Sequence, residues 1–100
     1  MGGYTMPPVA RLGDMCTGHD ASPPRGNVEG SPNVFVNSLP VHREGDAWDV
    51  HGVPPHGSVL ADGWHSVYVN GHRMGYIGAP VACGGSVAEG SENVFVGDCE

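Results

Sequence analysis

Short apolar runs of β-branched and aromatic residues, each ended by Asn or Gly, recur along this chain. Three of them match closely: Val34-Phe35-Val36-Asn37, Val67-Tyr68-Val69-Asn70 and Val94-Phe95-Val96-Gly97. Each begins four residues after a glycine, namely Gly30, Gly63 and Gly90, and the offsets are 67 − 34 = 33 and 94 − 67 = 27 residues. Alternation of β-branched and aromatic residues over so few positions predicts short strands rather than helices. The following "VNS" and "VNG" predict tight hairpin turns, because Asn and Gly tolerate positive φ. No window carries a sustained helical period. The expected fold class is all-β, built from three similar hairpin units that pack around a common axis with pseudo-threefold symmetry.

The second halves of the units agree less well. "LPVHREGDAWDVHG" (39–52) follows the first turn and "HRMGYIGAPVACGG" (72–85) follows the second. The opening, "VARLGD" at 9–14, parallels "VHREGD" at 41–46, so the chain starts with what reads as the tail half of a unit. Segments 20–29 and 52–62 are Pro-rich and predict loops. The expected organisation is one domain over 1–100, with its core at about 7–98 and no room for an extension after Glu100.

Composition sharpens this picture. The chain has 17 Gly, 9 Pro and a formal charge of −7. A domain of this size buries a modest core and often needs a staple. The acidic balance and four cationic side chains argue against a nucleic-acid partner and against an anionic membrane surface. The N-terminus lacks the pattern of a secretory signal, which predicts synthesis in the cytoplasm. Three Cys cannot all pair within the chain, and six His accompany them. That mixture reads more naturally as metal binding than as disulfide bonding.

Within the tail halves, His19, His42, His51 and Cys83 fall on loops or strand ends at comparable places. Three imidazoles and a thiolate complete a tetrahedral zinc set and leave no open position for water. The spacing fits no single-loop zinc motif, so the fold must assemble the site. The competing reading makes these His solvated loop residues and Cys83 a small apolar filler. Cys16, three residues before His19, is the other candidate ligand. His56, between Pro55 and Gly57, is expected to be exposed, and His65 and His72 to lie on the surface or in turns. Cys99 is expected to be a terminal free thiol. A zinc hydrolase would need an open position and a general base, for which Asp14, Glu44 or Asp46 stand available. Asp14 and Asp46 follow a glycine, however, which is ordinary turn chemistry.

"GDMCTGHD", "VEGSPNVFVNSLPVHREGDAWDVHG" and "IGAPVACGGSVAEGSENVFVGD" together resemble the PAAR-repeat family over roughly residues 7–98. Members are the sharpened tips of the central spike in bacterial type VI secretion systems and contractile phage tails. In place of the eponymous Pro-Ala-Ala-Arg this chain has Pro40-Val41-His42-Arg43, similar to the phage-type branch. The resemblance implies a small cone whose base docks on a homotrimeric β-helical spike, VgrG in secretion systems. It implies an apical zinc held by three His and one Cys, which carries over to His19, His42, His51 and Cys83. It implies a non-enzymatic piercing role, transient contact with a target membrane, and delivery out of the producing cell. An adaptor that tethers effector proteins to the spike is the alternative, with a small zinc hydrolase behind it. The hairpin valines Val34, Val36, Val67, Val69, Val94 and Val96 are the candidate spike contacts, with Phe35, Tyr68 and Phe95 on the opposite strand face.

Overall fold

The structure, a computed structural model, describes residues 6–20 and 22–97. Cys99 lies outside the described residues. Among the described residues six strands are present, in the order β1 (Phe35–Val36), β2 (Leu39–Pro40), β3 (Ala47–His51), β4 (His56–Val59), β5 (Tyr68–Val69) and β6 (His72–Arg73). They form three antiparallel pairs, β1 with β2, β3 with β4 and β5 with β6. There is no helix among the described residues, as the lack of a helical period predicts.

The turns form where the sequence places them. Asn37 and Ser38 (φ 54° and 67°) close β1–β2, and Asn70 and Gly71 (φ 55° and 81°) close β5–β6. Positive φ at both central residues gives the turn the twist that short antiparallel strands require. Among the described residues the third matching run has no downstream partner. Phe95 pairs instead with Pro8, and Val9 N–H donates to Val94 O at 3.1 Å. The opening segment thus supplies the missing second strand of the last unit, and the chain closes on itself.

Closure is carried by a ring of three backbone hydrogen bonds. Ala10 N–H donates to Gly75 O (3.0 Å), Gly75 N–H to His42 O (2.8 Å), and His42 N–H to Ala10 O (3.0 Å). These are equivalent residues of the three units. The same cyclic pattern recurs one step on: Leu12 N–H to Pro40 O, Glu44 N–H to Arg73 O, Ile77 N–H to Pro8 O. A second tier repeats it, with Val28 N–H to Ala47 O, Ala61 N–H to Pro80 O and Ala88 N–H to Met15 O. The pseudo-threefold axis expected from three matching runs is therefore built into the backbone pairing.

Two apolar clusters stack along that axis. Val9, Val41, Val69 and Val96 form the lower one, with Val34, Val36, Val67 and Val94 packed against it. Ala10, Cys16, Trp48, Leu60, Ala79, Val81 and Val87 form the upper one. Of the hairpin valines, Val69 and Val96 are core at 5% and 4% exposed, while Val34, Val36, Val67 and Val94 are half-buried against them. Alternation along a strand sends their neighbours outward. Phe35, Tyr68 and Phe95 are 55%, 56% and 49% exposed at three equivalent positions.

Gly75 marks how tightly the axis is filled. A Cβ there would lie 2.7 Å from His42 O and 3.3 Å from Ala10 Cβ. Gly75→Ala is expected to cost roughly 1–3 kcal/mol in urea denaturation by overpacking. Gly57→Ala, where the nearest atom is 3.5 Å away, is expected to stay within about 0.5 kcal/mol.

Candidate metal centre

Beyond the second tier the chain makes three excursions, and their tips meet. The first is a tight turn in which His19 and Ser22 exchange backbone hydrogen bonds of 2.9 and 2.7 Å. The second is the end of the β3–β4 hairpin, where His51 faces His56 across a bulged register. The third carries Cys83, whose N–H donates to Ser58 Oγ at 2.9 Å. Gly84, beside it, lies against the His19 ring, where a Cβ would come within 3.1 Å of Cγ.

His19, His51, His56 and Cys83 each aim one donor atom at a common point, and these atoms all lie within 4.8 Å of one another. His19 Nε2 is 3.4 Å from His56 Nε2. Cys83 Sγ is 3.4 Å from His19 Nε2 and 3.7 Å from His51 Nε2. Tetrahedral zinc with ordinary bond lengths sets its ligands about 3.3 Å apart for two nitrogens and about 3.6 Å apart for nitrogen and sulfur. These three spacings fit that geometry, and the whole set stays within 4.8 Å.

The outer atoms of the rings support the same reading. His51 Nδ1 bonds Pro23 O at 2.7 Å and His56 Nδ1 bonds Pro54 O at 3.0 Å. A carbonyl only accepts, so each Nδ1 carries the proton and each Nε2 presents a lone pair inward. His19 Nδ1 faces Asp20 Oδ2 at 3.7 Å. Lone pairs converging on one point repel unless a cation or protons sit between them. This group of residues could hold a metal ion.

Three of the four expected residues are thus brought together, and His42 is replaced by His56. His42 cannot reach the tips, because its backbone belongs to the axial ring. Its side chain is fully buried, with Nδ1 on Glu29 O at 2.7 Å and the ring edge-on to Trp48 at 5.1 Å. Only one of the three equivalent residues at this level is large, since Ala10 and Gly75 leave the space His42 fills. His56 is half-buried rather than exposed. The legible signal was its partner, because His51 and His56 flank the turn "GVPP" and a hairpin brings such positions face to face. Cys16 is not in the converging group. Its Sγ accepts from Arg25 Nη1 at 3.2 Å and from Gly18 N–H at 3.3 Å. Burial opposes its thiolate, but the hydrogen bonds from Arg25 and Gly18 outweigh that and hold the thiol below its ordinary pKa.

Two of the acids considered as general bases, Asp14 and Asp46, are committed elsewhere. Asp14 Oδ2 takes Arg11 Nε at 3.0 Å and Asp46 Oδ2 takes Arg43 Nε at 2.9 Å, each closing the turn that follows its arginine. A tetrahedral ion held by all four donors would have no open coordination position.

A family model described as the PAAR motif matches residues 17–89. Among curated proteins, two relatives from Pseudomonas aeruginosa are each 33% identical over 78 residues. One, from strain PAO1, is the NAD(P)(+) glycohydrolase toxin Tse6, and the other, from strain UCBPP-PA14, is the (p)ppApp synthetase toxin Tas1. The alignment covers 70% of this chain and 18% of each relative, so this chain spans a small part of their length.

Two outcomes follow from the site. Zinc content after purification without added metal or chelator is expected to be about one per chain. It is expected to fall well below that in His56→Ala and Cys83→Ala and to persist in His42→Asn. For His42, burial pushes the imidazole below its ordinary pKa. The folded protein then resists a proton that the unfolded chain accepts near pH 6.5. That contribution to stability is complete above about pH 6.5 and is lost as pH falls toward the folded value. Denaturation at about pH 7.5 and about pH 5.5 is expected to show the parent losing up to about 1 kcal/mol more than His42→Asn.

Proposed function

The chain belongs to the PAAR-motif family, and from that premise we propose that it is a non-enzymatic spike-tip protein. Its base seats on the blunt end of a trimeric β-helical spike and its metal-pinned apex leads. The observation that carries the reading is the combination of a closed threefold backbone ring with donor atoms from three separate tips meeting at one end of its axis.

The metal is zinc in this reading, bound by His19, His51, His56 and Cys83, and what it supplies is a cross-link. The three tips are rich in Gly and Pro and far apart in sequence, and the metal adds a strong tie to the hydrogen bonds that already join them, such as Cys83 N–H to Ser58 Oγ and His51 Nδ1 to Pro23 O. Metal binding of this kind is worth on the order of 10 kcal/mol of folding free energy, comparable with the whole stability of a small domain. A tip driven against an envelope loads these loops first, and the cross-link keeps them from splaying.

At the other end, Phe35, Tyr68 and Phe95 offer three related aromatic side chains to a partner with true threefold symmetry. Exposed aromatics are the usual anchors of a contact surface. Seating there also covers the unpaired strand edges at the end of a β-helix. A net charge of −7 leaves nucleic acid out of the partner list. Among the described residues no helix is long and apolar enough to cross a membrane.

The adaptor reading is favoured by one observation. Both relatives are named as toxins, and the part they share with this chain is a small fraction of each. The shared unit would then be the delivery portion, and effectors would reach the spike through this fold.

The test is co-purification with a trimeric VgrG-like or phage spike protein. One chain per spike trimer is expected. Replacing Phe35, Tyr68 and Phe95 together by Ser is expected to weaken the complex at least a hundredfold, about 3 kcal/mol over three anchors, with zinc content unchanged. A complex that survives the triple substitution, or that carries three chains per trimer, would remove the base-docking reading.

A further inference from the structure

Four arginines are the only Lys or Arg side chains in the sequence. Three of them pair with a carboxylate: Arg11 with Asp14, Arg43 with Asp46 and Arg73 with Asp62. Arg25 does not, among the described residues, although it is 6% exposed. A guanidinium does not lose its proton in a protein, and a buried charge is costly unless it is compensated. The compensation is visible in its contacts. Nε donates to Asp49 O at 2.9 Å, Nη1 to Cys16 Sγ at 3.2 Å and Nη2 to Cys83 Sγ at 3.4 Å. The guanidinium carbon also lies 5.4 Å from the centre of the Trp48 ring.

We propose that Arg25 is a positioning residue of the metal centre, its rigid fork holding the Cys83 sulfur at the donor point while Cys16 anchors the other arm. This rests on the reading that the centre binds metal. The reason lies in the donor set. His51 and His56 are each oriented by a carbonyl on the ring nitrogen that faces away from the centre. A cysteine has no second ring atom, so anything that orients it must act on the sulfur itself. A charge-assisted N–H···S bond from a planar, pre-formed fork does so. Asp49 O, the Trp48 face and Cys16 fix the fork in turn. Cys16 thereby acquires a role that its place outside the donor group leaves open.

The experiment uses the full chain loaded with Co(II) in place of zinc, as the parent, Arg25→Gln and Arg25→Lys. Visible absorption of tetrahedral cobalt in the parent reports the centre itself, and its absence would overturn the metal reading and this proposal with it. With cobalt bound at one per chain in all three, the near-ultraviolet sulfur-to-cobalt charge-transfer band is the decisive signal. Loss of the hydrogen bond raises the energy of the sulfur electrons. The band is therefore expected to move to lower energy in Arg25→Gln and by a smaller step in Arg25→Lys. Release of cobalt to a chelator is expected to be at least tenfold faster in Arg25→Gln, the scale found when an outer partner of a ligand is removed. An unmoved band and unchanged release in a folded Arg25→Gln overturn the proposal. Where Arg25→Gln does not fold, the parent loaded with ¹¹³Cd decides. Scalar coupling between cadmium and an Arg25 guanidinium proton through Sγ supports the assignment, and resolved Arg25 protons without coupling overturn it.

Discussion

Everything in this fold hangs on three backbone hydrogen bonds around one axis. Ala10, His42 and Gly75 each donate to the next and accept from the one before, so the three units are tied in a ring with no free edge at that level. A ring of this kind forces equivalence. Each unit must turn, pair and return in the same way, and the cyclic bonds above and below the ring show that it does. The ring also explains how the last unit is completed. Cutting a closed cycle of three leaves one hairpin whose two strands lie at opposite ends of the sequence. Here Pro8–Val9 and Val94–Phe95 meet to close it.

The symmetry is strict in the backbone and loose in the side chains. Two of the three seams between units are built from one polar set. At the first, Arg11 holds Asp14 and reaches Asn37, which also bonds Ser91 and Asn93. At the second, Arg43 holds Asp46 and reaches Asn70, which bonds Ser31 and Asn33. At the third the sequence places Tyr76, Ala79 and Trp64 at the positions of the arginine, the aspartate and the serine. There the rings of Trp64 and Tyr76 meet edge to face at 5.3 Å. Several positions have changed together from hydrogen bonding to aromatic packing, which is the only consistent way to change one. Replacing Asp46 alone would strand a buried arginine, a far larger penalty than exchanging the whole set.

The apex follows from the same frame. Each unit sends one excursion past the second tier, and three excursions from a threefold ring must converge. They are unequal in length and content: a tight turn with His19, a long hairpin with two histidines, and a short loop with Cys83. A four-donor site on a threefold frame needs one unit to give two donors, and the longest excursion is the one that does. Donor stoichiometry here is a consequence of hairpin length.

The sequence by itself read 52–62 as a loop where the structure forms β4 (His56–Val59), but it determined the β1–β2 and β5–β6 hairpins, their turns and the repeat. Those depend on local alternation and on Asn and Gly at positive φ, and such local preferences are written residue by residue. It also determined that His19, His51 and Cys83 share a kind of position, because equivalent places in a repeat are legible from spacing. What only the tertiary structure decided is which side chains occupy the axis and which the apex. In the sequence His42 reads as a ligand and His56 as an exposed loop residue, and the structure exchanges them. The axial ring captures the first because its neighbours there are Ala10 and Gly75, and the β3–β4 register carries the second to the tip opposite His51. The inward turn of the valines and the outward turn of Phe35, Tyr68 and Phe95 were likewise open, since alternation fixes that two faces differ but not which one the ring encloses. Arg25, in a Pro-rich loop, gave no local sign at all. Its importance arises from two sulfurs 67 residues apart (83 − 16) that the fold brings to one guanidinium, and long-range proximity of that kind leaves no trace in a linear pattern.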